Sequence, residues 1–550
     1  MTPQDLIAAF EVLAEAPSGV KRLRELVLQL AVRGKLVAQD PADEAVFGVP
    51  DRQEGQFVVP ENWSWSTVAG VCAYVRRGKS PDYVDASDVP VVSQKCVQLR
   101  GFDIEKVRFV AAGSLGRYEE EQFLRVGDLL WNSTGHGTLG RIIPFRTDPR
   151  FPKVVADSHV TIVRPVRVLS GFLWLWLAGP LIQSRIESLA TGSTKQTELS
   201  AKVIVAQGVP VPPLAEQHRI VARVDELMGL LDRLEAARNT REATRIAARD
   251  SALAALRDAN SADEAEVAWQ RIAEQMDALF TRPDDVDPLR QAVLQLAVRG
   301  RLVPQNPDDE PASILLNRIA AKKTPRVASN KGRKSAAPSF IDEPPFDVPN
   351  GWVWARWSAV GVCQNGRAFP SAEYCDDGVK LIRPGNLHRD GTVHWTATNT
   401  RYLPREWEDR HPEHVVRGGE LIMNLTAQSL VDDFLGRVCI TDADEHCLLN
   451  QRLARITPLG WSPMFCLQLL KSPFVRAQIT GLNTGTLIQH MFTSQVDEFL
   501  LPLAPLAEQH RIVAKVDALM AVLDRFERHL VAKTTTHEAF AAAAVHHLDA

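Results

Sequence analysis

The sequence lacks an apolar run near the roughly 18 residues that a membrane-spanning helix requires, and it lacks a CxxC pair and a glycine-rich cofactor loop. The first absence excludes a helical membrane protein. Met1 to Phe10 carry Asp5 and no basic segment followed by an apolar core, so no secretory signal is expected and the cytoplasm is the expected compartment. The seven cysteines (Cys72, Cys96, Cys363, Cys375, Cys439, Cys447, Cys466) are odd in number and scattered, which argues against a disulfide framework and a zinc ribbon. Reduced thiols are expected. A surplus of positive charge is also missing: Lys+Arg of 63 against Asp+Glu of 67 gives −4, unlike a stand-alone nucleic-acid-binding domain. A net sum can still hide a basic face.

What the chain does have is 550 residues, too many for one hydrophobic core, and a duplication. VLQLAVRG occurs at Val27–Gly34 and again at Val293–Gly300, and PLAEQHRIV occurs at Pro213–Val221 and Pro505–Val513. Between these anchors PENWSW from Pro60 pairs with PNGWVW from Pro349, and GDLLWNST from Gly127 with GELIMNLT from Gly419. The offset is 266 at the first anchor and 292 at the last, so the second copy has 26 extra residues. Such a period is far too long for a solenoid and identifies duplicated domains. The extra residues are assigned to Lys322–Ser339, with six basic and no acidic residues, read as a flexible basic linker. Each copy is therefore a conserved helical segment, about 150 divergent residues, and a second conserved helix.

After Pro213, apolar residues at Ile220, Val221, Val224, Leu227, Met228, Leu231 and Leu234 mark one helical face, repeated at Ile512 to Phe526. Glu216 and Glu508 complement the positive ends of these helices. Ala215–Asn260 has only Gly229 to interrupt it and predicts a helix of about 40 residues, roughly 60 Å long. Leu289–Ala297 predicts another helix, capped at Gly300. The four conserved segments fit two antiparallel pairs or one bundle. Inside the variable regions the pattern changes to short strands: Val89–Val92, Lys106–Val110, Asp128–Trp131, Val160–Val163, then Val379–Ile382, Glu420–Met423 and Arg452–Ile456. One helix is predicted near Phe172–Leu189. The fold class is α+β: two mixed α/β domains separated by long, antiparallel, coiled-coil-like helices. The divisions are 1–48, a first variable domain 49–212, central helices 213–302, linker and lead-in 303–345, a second variable domain 346–504, and a last helix 505–550.

Two variable domains set between near-identical helices, each followed by P-L-x-E-Q-x-x-I, resemble the specificity (S) subunits of type I restriction-modification enzymes. The motif is Pro213, Leu214, Glu216, Gln217 and Ile220, then Pro505, Leu506, Glu508, Gln509 and Ile512. Arg33–Leu36, Arg299–Leu302 and the W-x-W lead-ins are similar to that family too, and the resemblance covers the whole chain. It implies a non-catalytic DNA-reading subunit whose two target-recognition domains each read half of a bipartite site, with the helices as spacer. It also implies two modification subunits that bind S-adenosylmethionine and methylate adenine, a separate restriction subunit, and no cofactor on this chain. The conserved motif residues Glu216, Gln217, Arg219, Glu508, Gln509 and Arg511 are the expected partner contacts.

Base reading needs Arg, Lys, Asn, Gln, Ser or Thr on loops that reach groove edges. Three corresponding loops qualify: Arg76, Arg77 and Lys79 against Arg367; Asn132, Ser133, Thr134 and His136 against Asn424, Thr426 and Gln428; and Lys195 and Gln196 against Gln489. Arg383 makes a fourth with Asn386. Other chemistry is poorly served. DEPPF at Asp342–Phe346 has Glu343 where an adenine methyltransferase loop needs Asn or Asp, and Pro81-Asp82 lacks the second carboxylate of a nuclease metal site. His546 and His547 are adjacent, a poor chelating pair, so no metal site is expected. The competing readings are a self-contained methyltransferase or nuclease and a stand-alone DNA-binding regulator.

Overall fold

A computed structural model describes residues 19–46, 57–98, 101–135, 137–146, 148–193, 196–327, 344–428, 433–482 and 489–549. The chain divides into two compact units, Met1–Arg241 with Thr535–Ala550, and Glu242–Thr534. Among the described residues no helix is long and apolar enough to cross a membrane.

In the first unit the strand Leu129–Asn132 is buried at every position. Successive side chains of a strand face opposite sides. Leu129 and Trp131 therefore enter one core with Val163, Leu173 and Trp176, while Leu130 enters another with Val92, Ile143 and Ile162. The sheet has the antiparallel order Cys72–Arg77, Val160–Pro165, Leu129–Asn132, Ile142–Pro144. Two apolar faces need two covers. The helix Ser170–Ala178 supplies one, and a second sheet containing Val155–Ala156, Pro90–Val92, Arg108–Val110 and Tyr83–Val84 supplies the other.

The second unit repeats the plan from a diverged sequence. Gly361–Asn365, Leu453–Pro458, Leu421–Asn424 and Val438–Ile440 form the corresponding antiparallel sheet. Leu421 and Met423 enter a core with Ala454 and Phe465, and Ile422 enters one with Cys439, Cys447 and Leu449. Each unit holds a parallel strand pair of the same kind, Val155 beside Val91 and Lys380 beside Cys447. All seven cysteines are free thiols. Burial pushes Cys72, Cys363 and Cys439 up to about 12, so they stay protonated and inert at neutral pH.

In each copy the lead-in strand pairs with the exit strand. Ser64–Thr67 lies antiparallel to Gly208–Val211, and Val353–Arg356 to Leu500–Leu503. Each variable domain thus begins and ends at one place on its conserved frame, immediately before Pro213 or Pro505. A payload with adjacent ends can diverge without moving the frame.

The long helices are present as expected: Leu214–Arg257 and Leu506–Asp549, 44 residues each. At 1.5 Å per residue each spans about 66 Å. The conserved segments form the helices Gly19–Val32 and Val286–Val298. Both end alike: Lys35 N–H donates to Leu30 O and Arg301 N–H to Leu296 O, each at 2.9 Å, closing over glycines at φ +70° and +65°. This is the Schellman turn that needs a left-handed residue. In both, a Cβ on the glycine would come within 2.6 Å of a lead-in proline, Pro60 or Pro349.

Two expectations need correction. The single helix near Phe172–Leu189 is three pieces, Ser170–Ala178, Pro180–Gln183 and Ile186–Leu189. Pro180 has no N–H to continue the helix and its ring displaces the preceding carbonyl; Pro473 divides Pro463–Lys471 from Pro473–Thr480 for the same reason. The start of the supposed linker, Lys322 to Val327, belongs to the helix Ala312–Val327. Ala312, Leu315 and Ile319 anchor that helix in the core, and the Lys323 ammonium donates to the Ser358 and Gly361 carbonyls. The rest of that stretch lies outside the described residues, as do Asp342 and Glu343.

Candidate nucleic-acid interface

The loops singled out in the first variable domain meet at one end of its sheet. Gly78 N–H donates to Val160 O and Lys79 N–H to Ala156 O, while Ser133 N–H donates to His159 O and Leu199 N–H to Ser133 O. Arg77 reaches across to the Leu199 carbonyl at 3.0 Å and the Glu198 carboxylate at 2.8 Å. The chain approaches itself so closely here that a Cβ on Gly78 would lie 2.1 Å from Ala156 O.

The second domain builds the same end from different side chains. Gly366 N–H donates to Leu453 O and Arg367 N–H to Leu449 O, and a Cβ on Gly366 would lie 2.1 Å from Asn450 O. Asn424 N–H donates to Arg437 O as Asn132 N–H does to Arg141 O, both at 2.8 Å. Thr426–Ala427 pairs with Gln489–His490, bringing the second and third loops together. By these bonds Lys79 corresponds to Arg367, His159 to Arg452 and Asp157 to Asn450. The backbone is shared and the presented chemistry is not.

Burial sorts the expected contacts. Arg76, Lys79, Arg367 and Gln428 are exposed, and Thr426 and Gln489 are half-buried. Asn132, Ser133, Thr134 and Asn424 are buried, which corrects their reading as exposed base contacts. Asn132 donates to Gln94 O at 3.2 Å, Thr134 bonds the His159 ring at 2.6 Å, and Ser133 bonds Thr161. Asn424 donates to the Thr426 and Phe434 carbonyls, both at 2.8 Å. These side chains hold the loops in shape; a buried amide that left its partners for a groove would abandon bonds each worth about 1 kcal/mol net and leave carbonyls unpaired. Arg383, half-buried, donates to Asn399 O at 2.9 Å and so braces its own loop. His136 and Lys195 lie outside the described residues, and of Gln196 only the backbone is described, paired with Ser193.

The sequence reading missed the turn lodged between the first and second loops: Ser158 and His159 in one domain, Asn450, Gln451 and Arg452 in the other. Gln451 and Arg452 are exposed. Asp157 beneath this turn is raised by burial above the ordinary carboxylate range, although the His159 N–H and imidazole favour its charge. A polar pair between two strand-like runs carries no sequence signal beyond that of an ordinary turn. Only the strand order brings it beside the loops.

The P-L-x-E-Q-x-x-I motif is tied up in bonds within the chain. Glu216 is buried and accepts from Gln39 at 2.6 Å and Trp63 Nε1 at 2.9 Å; Glu508 accepts from Gln305 at 2.7 Å and Trp352 Nε1 at 2.9 Å. Gln217 receives the Leu169 N–H and donates to Pro212 O, and Gln509 receives the Ser462 N–H and donates to Ala504 O. Arg219 and Arg511 make two-pronged pairs with Asp43 and Asp309, the shorter bond 2.6 Å in each. The Arg219 guanidinium holds Asp43 below the usual carboxylate range. Burial raises Glu508 above it, against the bonds from Trp352 and Gln305. The six residues form a clamp that fastens the long helix to the conserved helix turn and the tryptophan lead-in; Glu216, Gln217, Glu508 and Gln509 are buried in it, and Arg219 and Arg511 keep an exposed side.

Arg24 with Asp232 and Glu235, and Arg290 with Asp524 and Glu527, fasten the two helices a second time in each copy. The motif also exposes residues next to the clamp: Leu214 is 58% and Leu506 36% exposed, and His218 and His510 are exposed too.

Comparison with known proteins bears on both halves of this arrangement. Residues 60–241 match the family described as type I restriction modification DNA specificity domain. The chain is 30% identical over 552 residues to the EcoAI specificity subunit of Escherichia coli, covering 92% of this chain and 90% of that protein. It is 31% identical over 380 residues to the EcoEI specificity subunit of the same species, covering 62% and 61%. A crystal structure of the HsdS subunit from Thermoanaerobacter tengcongensis aligns over 90% of this chain and 98% of that one, with 17% identity and a TM-score of 0.44.

Proposed function

The chain belongs to the type I restriction-modification specificity family, and from that premise we propose that it is the non-catalytic subunit that reads DNA sequence for a cytoplasmic type I restriction-modification complex. Each variable domain reads one half of a bipartite site through the loops gathered at the end of its sheet. The exposed basic and amide side chains there, Arg76, Lys79, Arg367, Gln428 and Arg452, are the first contacts to test. Phosphate contacts fix register, and base-edge contacts carry the code.

The long helices set the gap between the half-sites. Two readers held at fixed spacing make the second binding event intramolecular, so two short codes combine into one long one. The two copies of the frame dock two methyltransferase subunits, which carry S-adenosylmethionine; a restriction subunit joins that assembly.

The observation that carries the proposal is the contrast within each copy. The clamp of Trp63, Gln39 and Glu216 recurs almost bond for bond with Trp352, Gln305 and Glu508, whereas the loop ends share a backbone and differ in side chains. A frame that must hold the long helix in the same way in both copies accounts for the first, and two different DNA half-sites account for the second.

The test is co-expression with candidate methyltransferase subunits from its own source, followed by single-molecule mapping of N6-methyladenine. The expected result is a split motif with a constant gap that disappears when this chain is omitted. Methylation that persists without the chain, or a motif without a gap, refutes the reading.

A further inference from the structure

The two variable domains share a Leu-Gly-Arg triplet, Leu139–Arg141 and Leu435–Arg437, beside loops whose side chains otherwise differ. Packing accounts for its first two members. Leu435 is buried, and Leu139 packs against the corresponding core. Gly140 and Gly436 sit at φ +83° and +74°, and a Cβ on either would collide with an isoleucine, Ile186 or Ile479. The third member is charged and only half-buried in both domains, so the core does not require it.

Both arginines stand at the same place. Asn132 N–H donates to Arg141 O and Asn424 N–H to Arg437 O, which puts each arginine at the loop end of its sheet. Each comes one residue before an outer strand, Ile142–Pro144 or Val438–Ile440. Arg141 donates to Gln98 Oε1 of the adjoining hairpin at 3.3 Å and to Gly137 O at 2.8 Å. Arg437 donates to Leu387 O at 3.3 Å, and its guanidinium lies 4.9 Å from the centre of the Phe434 ring. The two hairpins correspond, since Asp103 N–H donates to Cys96 O as His394 N–H does to Asn386 O. All these acceptors are neutral, so the bonds aim the charge without cancelling it. The opposite outer strand of each sheet is followed by a cation as well, exposed Lys79 in one domain and exposed Arg367 in the other. Between the two flanks lies the turn that differs, Ser158-His159 against Gln451-Arg452.

We infer that Arg141 and Arg437 are equivalent contacts to DNA phosphate, made whatever the base sequence of the half-site. The inference rests on the DNA-reading proposal and assigns residues that position the duplex, as distinct from those that read it. Neighbouring strands lie about 4.8 Å apart, so the outer strands of a four-stranded sheet are about 14 Å apart. That is comparable with the major groove, about 12 Å wide. The cations on the two outer strands meet the two phosphate backbones that border the groove, and the turn between them faces the base edges. Like charge on the flanks and unlike chemistry in the middle suit two half-sites that differ in sequence and share a backbone.

The experiment uses the full chain assembled with its methyltransferase subunits, and duplexes carrying the motif mapped by methylation, intact or with either or both halves scrambled. In variants whose circular dichroism matches wild type, Arg141→Gln and Arg437→Gln should each weaken binding about tenfold on every duplex. Each should also lower the slope of log affinity against log salt by about 0.9 and leave the methylated motif unchanged. Arg141→Lys and Arg437→Lys keep the charge and lose the forked brace, and they should keep the wild-type slope. Ethylation interference with the wild-type complex needs no variant to fold: it should mark phosphates on both strands beside each half-site, placed alike in the two halves. A slope unchanged in the glutamine variants, or lowered equally in the lysine variants, makes the arginine a brace only and overturns the inference. A methylated motif altered in one half makes it a base reader and overturns the inference too, as does interference that lacks the matching phosphates. If the wild-type complex does not prefer the intact motif, the DNA-reading proposal itself fails.

Discussion

Replacing Trp352 by Phe tests the clamp and its electrostatics together. The indole Nε1–H lies 2.9 Å from Glu508 Oε2, and both groups are buried. Removing the donor leaves the carboxylate with Gln305 alone on the lead-in side, at 2.7 Å. A hydrogen bond to a buried charge contributes about 1.5–3 kcal/mol, and the narrower ring leaves a small void against Gly300 worth about 1 kcal/mol. The expected loss is about 3 kcal/mol at pH 8.

The pH dependence carries more information than the size. Burial raises Glu508 above its ordinary value, so this group adds stability below the ordinary carboxylate pKa, and that contribution is lost as pH rises through the raised one. The Trp352 bond favours the charged form and limits the rise. Without it the pKa climbs further and the variant loses more stability than wild type on passing from acid to neutral pH. The difference between the two proteins should therefore shrink toward pH 4. Urea unfolding of the full chain, read by circular dichroism and by exchange of the amides of Val286–Val298, measures it. In Glu508→Gln the pH dependence of the tryptophan substitution should vanish, with a coupling of at least about 1 kcal/mol between the two changes. A loss that is constant with pH, or additivity of the two substitutions, refutes the reasoning.

Gly300→Ala should cost about 1–2 kcal/mol for its φ of +65°, and more for the displacement of Pro349, whose Cγ lies 2.6 Å from the added carbon; thermal unfolding reads the sum. Asn424→Ala should lower stability by about 1–3 kcal/mol, since two carbonyls lose their donor, and leave the methylated sequence unchanged in whatever protein folds. Arg367→Ala should do the reverse, leaving the melting temperature unchanged while weakening DNA binding and lowering its salt dependence by about one ion. Exchanging the segment between the lead-in and exit strands, residues 68–207, for that of a relative should change one half of the methylated motif and keep the gap. A changed gap would show that the variable domain, not the frame, sets the spacing.

The sequence by itself determined the duplication, the positions of the four conserved segments and the roughly 40-residue length of the first long helix, 44 in the structure, because repeated words and a 3.6-residue apolar period are local signals. It also located most of the strand cores, since buried β-branched runs bounded by glycine and proline are local too. Helix interruption at Pro180 was equally local and was overlooked. The conserved motif was the harder case. Repetition marks Glu216, Gln217 and Arg219 as important, but repetition of a docking surface and repetition of an internal clamp look the same in one dimension. The partners of Glu216 are 177 and 153 positions away, and only folding shows that they consume its hydrogen-bonding capacity.

The same limit applies at the loops. Composition picks out polar residues, and it cannot distinguish Asn424, whose amide is spent inside the domain, from Gln428, whose amide is exposed. Nor does it collect Arg367, Arg452 and Gln489 at one sheet end. Local sequence sets which segments form and which face of each is apolar. Tertiary structure alone decides which polar groups are satisfied internally and which remain free to bind, because that depends on pairing between residues far apart in the chain.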